Sequence, residues 1–436
     1  MGKGSLKIYE INLKEFVMMT QAFYTGISGL KSNQTGIDIL SNNIANISTV
    51  GFRGYNVEFS SMFEESMNTA ATSTATSSIG SGVKVATSTM NRDTGVIILS
   101  ERSTDLAIIG NGWFGVKGEA DVQYTRAGNF TFDRESDLMT PDGYYVLGTM
   151  GGNISDDDVL TDVLAEVPLG EVGGQQKLRF PKNLTYPPEA TTTAKFIGNI
   201  GFEPEVRTIG AGVVDPQNNK NHLRLEFTKM AVQTPPGSQW DVKATTQTLD
   251  GVTIYDTKLG VANFDSSGAL INTTLTSIDN NGASVAIDLG SGFDGVTAIT
   301  NVPISASTVA DGTQGGNLRG YSVNKNAEVI ATFTNGLQSS VGKIAVYHFG
   351  NEQGLERASG ARFFEGSNSG SPIFYKDANG QNIIGTNIAN FNLEGSNVTM
   401  THGLTELIIL QRSYDANSKS ITTADQMMQK ALQMDA

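Results

Sequence analysis

Apolar residues recur at a seven-residue interval near the N-terminus. The positions with this spacing are Phe23, Leu30, Ile37 and Ile44, and the stripe is widened by Ile27, Leu40 and Ile47. Residues at this interval share one face of an α-helix and are typical of a coiled-coil seam. The pattern therefore predicts a helix over residues 19–48, with Asn46 and Gly51 as stop signals.

The same interval returns at the other end of the chain. Its positions are Leu407, Tyr414, Ile421 and Met428, with Leu404, Leu410, Ala424 and Ala431 on the same side. Alanine, glutamine, lysine and methionine in this stretch all favour helix. We therefore expect a second helix over residues 402–434.

Each helix needs a partner, because a lone amphipathic helix of this length is marginal in water. Several seam positions are small or polar, namely Gln34, Ser41, Asn417 and Ser418. Two arrangements are open: the helices pack on the β-rich body of the same subunit, or they pair and then pack against helices of neighbouring subunits. We expect residues 19–48 and 402–434 to pair as an inner core domain.

Between the helices the pattern changes to short β-branched runs separated by turn pairs. Examples are Val83–Val85, Val96–Leu99, Leu106–Ile109 and Tyr144–Leu147, with turns at Asn111-Gly112, Gly128-Asn129 and Asp142-Gly143. Such runs predict β-strands joined by hairpins. The fold class expected is mainly β with terminal α-helices, with one β module nested inside another.

The expected boundaries follow composition. Residues 69–81 are rich in serine, threonine and alanine, and residues 49–82 are expected to be a linker or extended segment. One β domain is expected from residues 83–149 plus 314–400, and residues 150–313, rich in threonine, asparagine and glycine, form an inserted outer β domain. Residues 1–18 lack the helical pattern and are expected to be a disordered or over-called extension, with the start at Met18 or Met19 as an alternative.

Composition excludes several classes of function. The 436 residues carry a formal net charge of -14, which disfavours a nucleic-acid partner because phosphate contacts need clustered lysine and arginine. Cysteine is absent, so disulfides and thiolate metal sites are excluded. No apolar run is long enough to span a bilayer, so membrane insertion is not expected. We also find no cleavable secretory signal.

Candidate chemistry is sparse. The three histidines, His222, His348 and His402, have no neighbouring ligand set with metal spacing. The acidic run Asp156–Asp158 lacks the alternate spacing of a calcium loop and predicts a solvated turn. We therefore expect no enzyme activity, no catalytic residues, no metal and no cofactor. A catalytic site built from residues far apart in the sequence would show no motif, so that alternative stays open.

Motifs at both ends and inside the chain carry a family resemblance. The N-terminal motifs are residues 23–30, 41–46, 49 and 51–53, the C-terminal motifs are residues 394, 396–398, 406–407, 411–417 and 423–427, and the internal motifs are residues 105–108, 110–114, 124–130 and 350–355. Together they resemble the flagellar axial proteins, the rod and hook family. The family usually has Asn-Pro where Asn351-Glu352 stands here, which is a mild departure.

Within that family, residues 331–336, 255–256 and 264–270 resemble the hook branch more than the rod branch. The resemblance implies a structural subunit that leaves the cell through flagellar type III export without signal cleavage. It implies polymerisation with copies of itself into a curved, flexible tube, the extracellular hook above the basal body. This tube couples rod to filament as a universal joint and transmits torque. The implied partners are distal rod, hook cap and hook–filament junction proteins.

Two other functions stay open. A distal rod subunit of the same family is the nearest, and a secreted β-rich adhesin or glycan-binding protein is the rival from another class. The adhesin gives no reason for matched helical seams. Residues of the seams and end motifs form the expected self-assembly interface, which consists of Phe23, Ile27, Leu30, Ile37, Leu40, Asn42, Asn43, Ile44, Asn46, Gly51, Phe52, Leu404, Leu407, Leu410, Gln411, Tyr414, Asn417, Ile421 and Met428.

Overall fold

The computed structural model describes residues 3–62, 64–66, 78–80, 82–119, 121–203, 205–233 and 236–434. Two long helices stand at the ends, α1 (Lys3–Ala45) and α2 (Met400–Met434). In α1, side chains are described from Gln21 onward. The proposal that residues 1–18 are an extension is untested and stays a prediction.

A ribbon of four strands follows α1: β1 (Tyr55–Ser61), β2 (Glu64–Ser66), β3 (Ser78–Gly80) and β4 (Val83–Met90). Strand β1 pairs antiparallel with β4, and β2 with β3. Strand β1 lies inside the segment expected to be a linker or extended chain, residues 49–82, of which residues 63, 67–77 and 81 lie outside the described residues, so that expectation stays a prediction. Strand β4, which begins at the expected start of the β domain, pairs with β1 in the ribbon. The ribbon lies against α1, where Ser32 Oγ donates to the Val83 carbonyl over 3.1 Å.

The next strands begin the first β unit. They are β5 (Ile97–Leu99), β6 (Leu106–Ile109), β7 (Trp113–Lys117), β8 (Val122–Thr125), β9 (Thr131–Phe132), β10 (Leu138–Met139), β11 (Tyr145–Met150), β12 (Gln176–Lys177) and β13 (Thr185–Tyr186). A short 3-10 turn, Val172–Gly174, precedes β12.

The inserted unit follows β13. Its strands are β14 (Thr193–Asn199), β15 (Arg207–Val214), β16 (Lys220–Lys229), β17 (Ser238–Thr248), β18 (Ile254–Phe264), β19 (Leu270–Thr273), β20 (Ser277–Asn280), β21 (Ala283–Asp288), β22 (Gly290–Ser291), β23 (Asp294–Thr297) and β24 (Ser305–Ala310). Strands β15 to β19 form an antiparallel meander in chain order. A second sheet has the order β20-β21-β14-β23-β22, and β24 also pairs with β14.

The chain then returns to the first unit. The returning strands are β25 (Gly316–Val323), β26 (Glu328–Phe333), β27 (Gln338–Ile344), β28 (Val346–Tyr347), β29 (Glu356–Arg357), β30 (Arg362–Phe364), β31 (Tyr375–Lys376), β32 (Asn382–Ile383), β33 (Asn387–Asn390) and β34 (Asn392–Glu394). The main sheet runs β13-β25-β26-β27-β11-β7-β8-β30-β29, so strands from both sides of the insert interleave. The short 3-10 turn Glu352–Gly354 precedes β29.

Each unit has its own hydrophobic core. The first is built around Trp113 and Tyr347, and the second around Trp240 and Phe227. The boundary expected at residue 150 is corrected, because Leu160 and residues up to Tyr186 pack in the first core. Residues 150–192 have few regular strands but supply apolar side chains to that core, so the inserted unit begins near Thr193.

The predicted fold class, mainly β with one helix at each end, is confirmed. Within the described residues, neither helix carries an apolar stretch of the length and purity that a bilayer crossing requires.

Candidate self-assembly surface

The two terminal helices pack against each other in antiparallel order. A Cβ added at Gly26 would lie 2.7 Å from Ile421 Cγ1, and one added at Gly36 would lie 3.1 Å from Leu410 Cδ1. A side chain at either position would force Ile421 or Leu410 to shift, so glycine lets the helix axes approach closely. This contact uses the predicted seam residues Ile421 and Leu410.

Asn417 lies at the centre of the helix contact. A Cβ added at Gly29 would lie 2.6 Å from Asn417 Nδ2. Further along, Gly403 of α2 faces Ile44 of α1, and its added Cβ would lie 3.0 Å from Ile44 Cγ1. A polar residue inside a helix seam restricts register at a cost in stability.

The helix pair covers only part of the apolar residues it carries. Leu404, Ile408 and Ile409 of α2 keep 45%, 57% and 58% of their surface exposed. Tyr414 of α2 and Tyr24 of α1 are also exposed. Contiguous apolar surface on a soluble subunit marks an interaction site.

Sequence reasoning missed Ile408 and Ile409, because it followed only the heptad positions. The signal was available, since Leu404 and Ile408 are four residues apart and form their own stripe. That stripe lies beside the seam that faces α1.

Several predicted interface residues are instead engaged within the chain. Asn43 is buried, donates from Nδ2 to the Tyr55 carbonyl over 2.7 Å, and accepts from the Tyr55 amide over 3.0 Å. The side-chain amide thereby replaces a strand neighbour for Tyr55 and attaches β1 to α1. Leu40 and Phe52 are also buried in the chain itself.

Gly51 forms the turn between α1 and the ribbon. Its φ of 66° lies in the left-handed region, and an added Cβ would lie 2.3 Å from the Ala127 amide nitrogen. Its amide donates to the Glu394 carbonyl over 2.7 Å. Glycine is required here because the backbone of the helix end touches the β unit.

A buried ion cluster lies next to this turn. Glu394 Oε1 is 2.9 Å from Arg53 Nη2, and Glu394 Oε2 is 3.3 Å from Arg126 Nη1. All three side chains are almost fully buried. The cluster joins the segment after α1, the loop after β8 and the strand β34 that leads into α2. Sequence reasoning placed all three residues in family motifs but assigned them no role.

Burial sets the electrostatics of this cluster. It lowers the pKa of both guanidinium groups, that of Arg126 to about 10, while the Glu394 carboxylate opposes the shift. Additional hydrogen bonds satisfy the charges: Arg126 Nη2 donates to the Gly110 carbonyl over 2.6 Å, and the Gly95 amide donates to Glu394 Oε1 over 2.9 Å. A buried ion pair needs such partners to offset desolvation.

The remaining motif residues complete the joint between helices and β unit. Arg357 donates to Asn42 Oδ1 over 3.3 Å and stacks its guanidinium on Phe52, 5.3 Å from the ring centroid. Asn46 Nδ2 donates to the Asn42 carbonyl over 2.9 Å at the end of α1. Asn397 accepts from the Gly54 amide over 2.8 Å. These contacts fix the direction in which both helices leave the β unit.

The predicted residues thus fall into three groups. One group packs between α1 and α2, one is used in the joint to the β unit, and one is exposed. Partly buried seam residues are Phe23, Ile27, Leu30, Ile37, Ile44, Leu407, Leu410, Asn417, Ile421 and Met428, and exposed ones are Leu404, Gln411 and Tyr414. Their role in assembly stays a prediction.

The candidates for chemistry in the described residues are metal-ligating clusters, His348 and the acidic turn. They contain no group of three or more histidine, cysteine, aspartate or glutamate side chains placed to hold a metal ion. His348 is buried, and its Nε2 donates to the Ile384 carbonyl over 2.7 Å. In the predicted acidic turn, Asp158 pairs with Arg179 over 3.5 Å.

Three family models match parts of the chain. The model described as flagella basal body rod protein matches residues 23–53, and the flagellar hook protein FlgE/F/G D1 domain matches residues 107–192. The flagellar basal body rod FlgEFG protein C-terminal model matches residues 390–434. These matches cover the C-terminal half of α1 with its turn, most of the part of the first β unit that precedes the insert, and α2 with the strand before it.

Curated relatives align over nearly the whole chain. The flagellar hook protein FlgE of Borreliella burgdorferi is 27% identical over 95% of this chain and 100% of its own length. The FlgE of Treponema pallidum is 26% identical with the same coverage. The FlgE of Salmonella typhimurium is 28% identical over 93% of this chain and 98% of its own.

A solved structure shares the fold. The crystal structure of Helicobacter pylori flagellar hook protein FlgE2 superposes with a TM-score of 0.52 and 16% identity. It covers 68% of this chain and 100% of that one.

Proposed function

We propose that this chain, which belongs to the flagellar hook protein family and is a structural subunit of the hook, polymerises through its terminal helices into a curved tube. The observation that carries the proposal is the apolar surface of α2 that α1 leaves uncovered, with Leu404, Ile408 and Ile409 at its centre. Burial of this surface by a neighbouring copy would be favourable at about 25 cal/mol for each Å² removed from water.

The joint around Glu394 supports the geometry of this polymer. It holds both helices at one end of the first β unit, so that copies stacked through their helices carry their β units outward. We therefore propose that the helices line the inner wall and that the β units form the outer layers. A contact that does not close on itself produces a helical filament of this kind.

Bending is the property that a universal joint needs. Asn417 and Gly29, which faces it, place a small and polar contact inside an otherwise apolar seam. Asn417 restricts the register of α1 against α2 within one subunit, and we propose that the tube bends by sliding between neighbouring copies.

The partners and the route follow from the same family. We propose contacts with distal rod, hook cap and hook–filament junction proteins at the ends of the tube, and export through the flagellar type III apparatus. A structural role without catalysis fits a chain whose buried charged residues in this region are used for joining segments.

Electron microscopy of basal bodies from a deletion strain tests the proposal. We expect a complete rod without a hook, restored by the wild-type gene. Basal bodies with an incomplete rod would instead assign the chain to the distal rod, and intact hooks would contradict both assignments.

A further inference from the structure

Strand β5 is exposed to an unusual degree for its sequence. Val96, Ile98 and Leu99 keep 71%, 54% and 80% of their surface exposed, and Ile97 is exposed as well. A continuous apolar run without polar alternation is typical of a strand covered on both faces. In the described part of the chain, β5 is covered on neither.

One edge of β5 is also open. The strand belongs to a two-stranded sheet with β34, paired Ile97 to Glu394 and Leu99 to Asn392. Two flanking hydrogen bonds fix the pattern: the Gly395 amide donates to the Val96 carbonyl, and the Ser100 amide donates to the Phe391 carbonyl. The backbone amides and carbonyls of the even-numbered residues of β5 therefore point toward β34. In an antiparallel ladder the amides and carbonyls of Ile97 and Leu99 then point to the opposite edge.

Natural proteins normally protect such an edge with charge, proline or a covering segment. Residues 94–100 contain no charged side chain and no proline. The chain as a whole carries a net charge of -14, which makes copies repel each other. An uncharged apolar edge is therefore a place where two copies can meet without burying like charges.

Phe391 adds an independent observation beside the edge. It has a φ of 57°, which is rare for a bulky side chain, and its ring is exposed. The Phe391 amide donates to Asn390 Oδ1 over 2.9 Å, which supports this backbone conformation. Strained backbone that presents an aromatic ring to solvent is more readily explained by a contact than by the stability of the free chain.

The edge is rigidly held. A Cβ added at Gly95 would lie 1.9 Å from the Gly395 carbonyl oxygen, and the Gly95 amide donates to the buried Glu394 carboxylate. Because β34 leads directly into α2, the edge is continuous with the proposed polymerisation helix. A rigid edge loses little conformational entropy on binding.

We propose that β5 is a docking edge to which an extended segment of a second copy of this chain adds as a strand during assembly. The inference rests on the proposed function and names a contact for it outside the helices. Backbone hydrogen bonds to Ile97 and Leu99 supply affinity, and the exposed side chains on both faces supply specificity. The docked segment is a different surface of the second copy, because β5 pairing with β5 would close a dimer.

The cysteine-free sequence allows a direct test by single-thiol labelling. Leu99→Cys places the thiol in the edge, and Leu259→Cys is the control, because Leu259 is a strand residue of the inserted unit with 78% exposure. We expect both to react readily with a maleimide in the monomer, and Leu99→Cys to slow by about tenfold or more in tubes, since thiol reactivity requires access.

Three outcomes would overturn the inference. Equal labelling of Leu99→Cys in tubes and monomers excludes a docked copy, and protection already in the monomer means that the chain covers its own edge. Failure of the wild-type chain to form tubes removes the proposed function and this inference together. The first two outcomes leave the proposed function intact, because tubes still form, and reject only the edge.

A charge substitution gives a second measurement. Leu99→Lys should keep the melting temperature of the monomer and lower the yield of tubes by about tenfold or more, because an uncompensated buried charge costs at least that much affinity. Leu259→Lys should assemble like wild type. Normal assembly of Leu99→Lys would contradict the docking edge.

Discussion

Arg53 and Glu394 come from opposite ends of the sequence, yet Arg53 Nη2 lies 2.9 Å from Glu394 Oε1 in the protein interior. Glu394 also pairs with Arg126 from the β unit. One carboxylate thus joins the start of the chain, its end and its body. The helices of the proposed polymer depend on this joint for their direction.

Removal of the Glu394 charge should destabilise the folded protein. Glu394→Gln removes from two buried guanidinium groups the carboxylate that pairs with both, and we expect a loss of about 3–5 kcal/mol in unfolding free energy. Urea unfolding followed by Trp113 fluorescence in a Trp240→Phe background measures it, because Arg126 lies 5.6 Å from the Trp113 ring centroid.

The matched control is Glu205→Gln. Glu205 is exposed and pairs with the partly buried Arg207 at 2.7 Å, and surface pairs contribute about 0–1 kcal/mol. Equal losses for the two variants would show that burial of the Glu394 cluster has no special importance.

The glycine contact between the helices should not accept a large side chain. Gly29→Leu improves helix propensity by about 1 kcal/mol but overpacks against Asn417 by about 1–3 kcal/mol. We expect loss of helical signal in far-UV circular dichroism with unchanged tryptophan fluorescence from the β units. Ala22→Leu, on the exposed face of α1, is the control. A gain of helical signal in Gly29→Leu would refute close packing there.

The exposed stripe of α2 should matter for assembly and not for folding. Ile408→Asp should change monomer stability by no more than about 0.5–1 kcal/mol, because the side chain is largely exposed. The same variant should lower tube formation by about tenfold or more, measured by sedimentation, because a charge would be buried between copies. Ile408→Leu should assemble normally. Tubes of normal yield from Ile408→Asp would remove this stripe from the interface.

Stability of the first β unit should depend on pH through His348. Burial lowers the pKa of His348 below its ordinary value of 6.5, so the folded state binds this proton less readily than the unfolded state. The resulting stabilisation is present above that value and is lost as pH falls through the lowered folded-state pKa. His348→Gln should flatten the decline in melting temperature on acidification, whereas His402→Gln, exposed on α2, should not. If the slope of melting temperature against pH is unchanged in His348→Gln, another group governs the acid sensitivity.

The helices could be predicted because heptad periodicity is a local signal that tertiary context did not override. The seam predicted that Ile421 packs between the helices, but neither its position opposite Gly26 nor the use of glycine for close approach could be derived from it. The ribbon was not predicted, because the serine and threonine content of this segment is typical of a linker. The alternation of Tyr55, Val57 and Phe59 is a strand signal.

The buried cluster and the domain boundary lay beyond sequence reasoning for a physical reason. Which carboxylate meets Arg53 depends on how two chain ends meet, and periodicity carries no information on that. Similarly, residues around Leu160 and Phe180 join the first core through irregular backbone, so the pattern of strands placed the boundary too early.

Hydrogen exchange, compared between the monomer and the assembled tube, tests most directly whether the helices are completed by neighbouring copies. We predict that amides of α1 and α2 exchange rapidly in the monomer and slow strongly in the tube, while those of β16 and β17 in the inserted core exchange equally in both. Helices that are already fully protected in the monomer, with no change on assembly, would contradict the account.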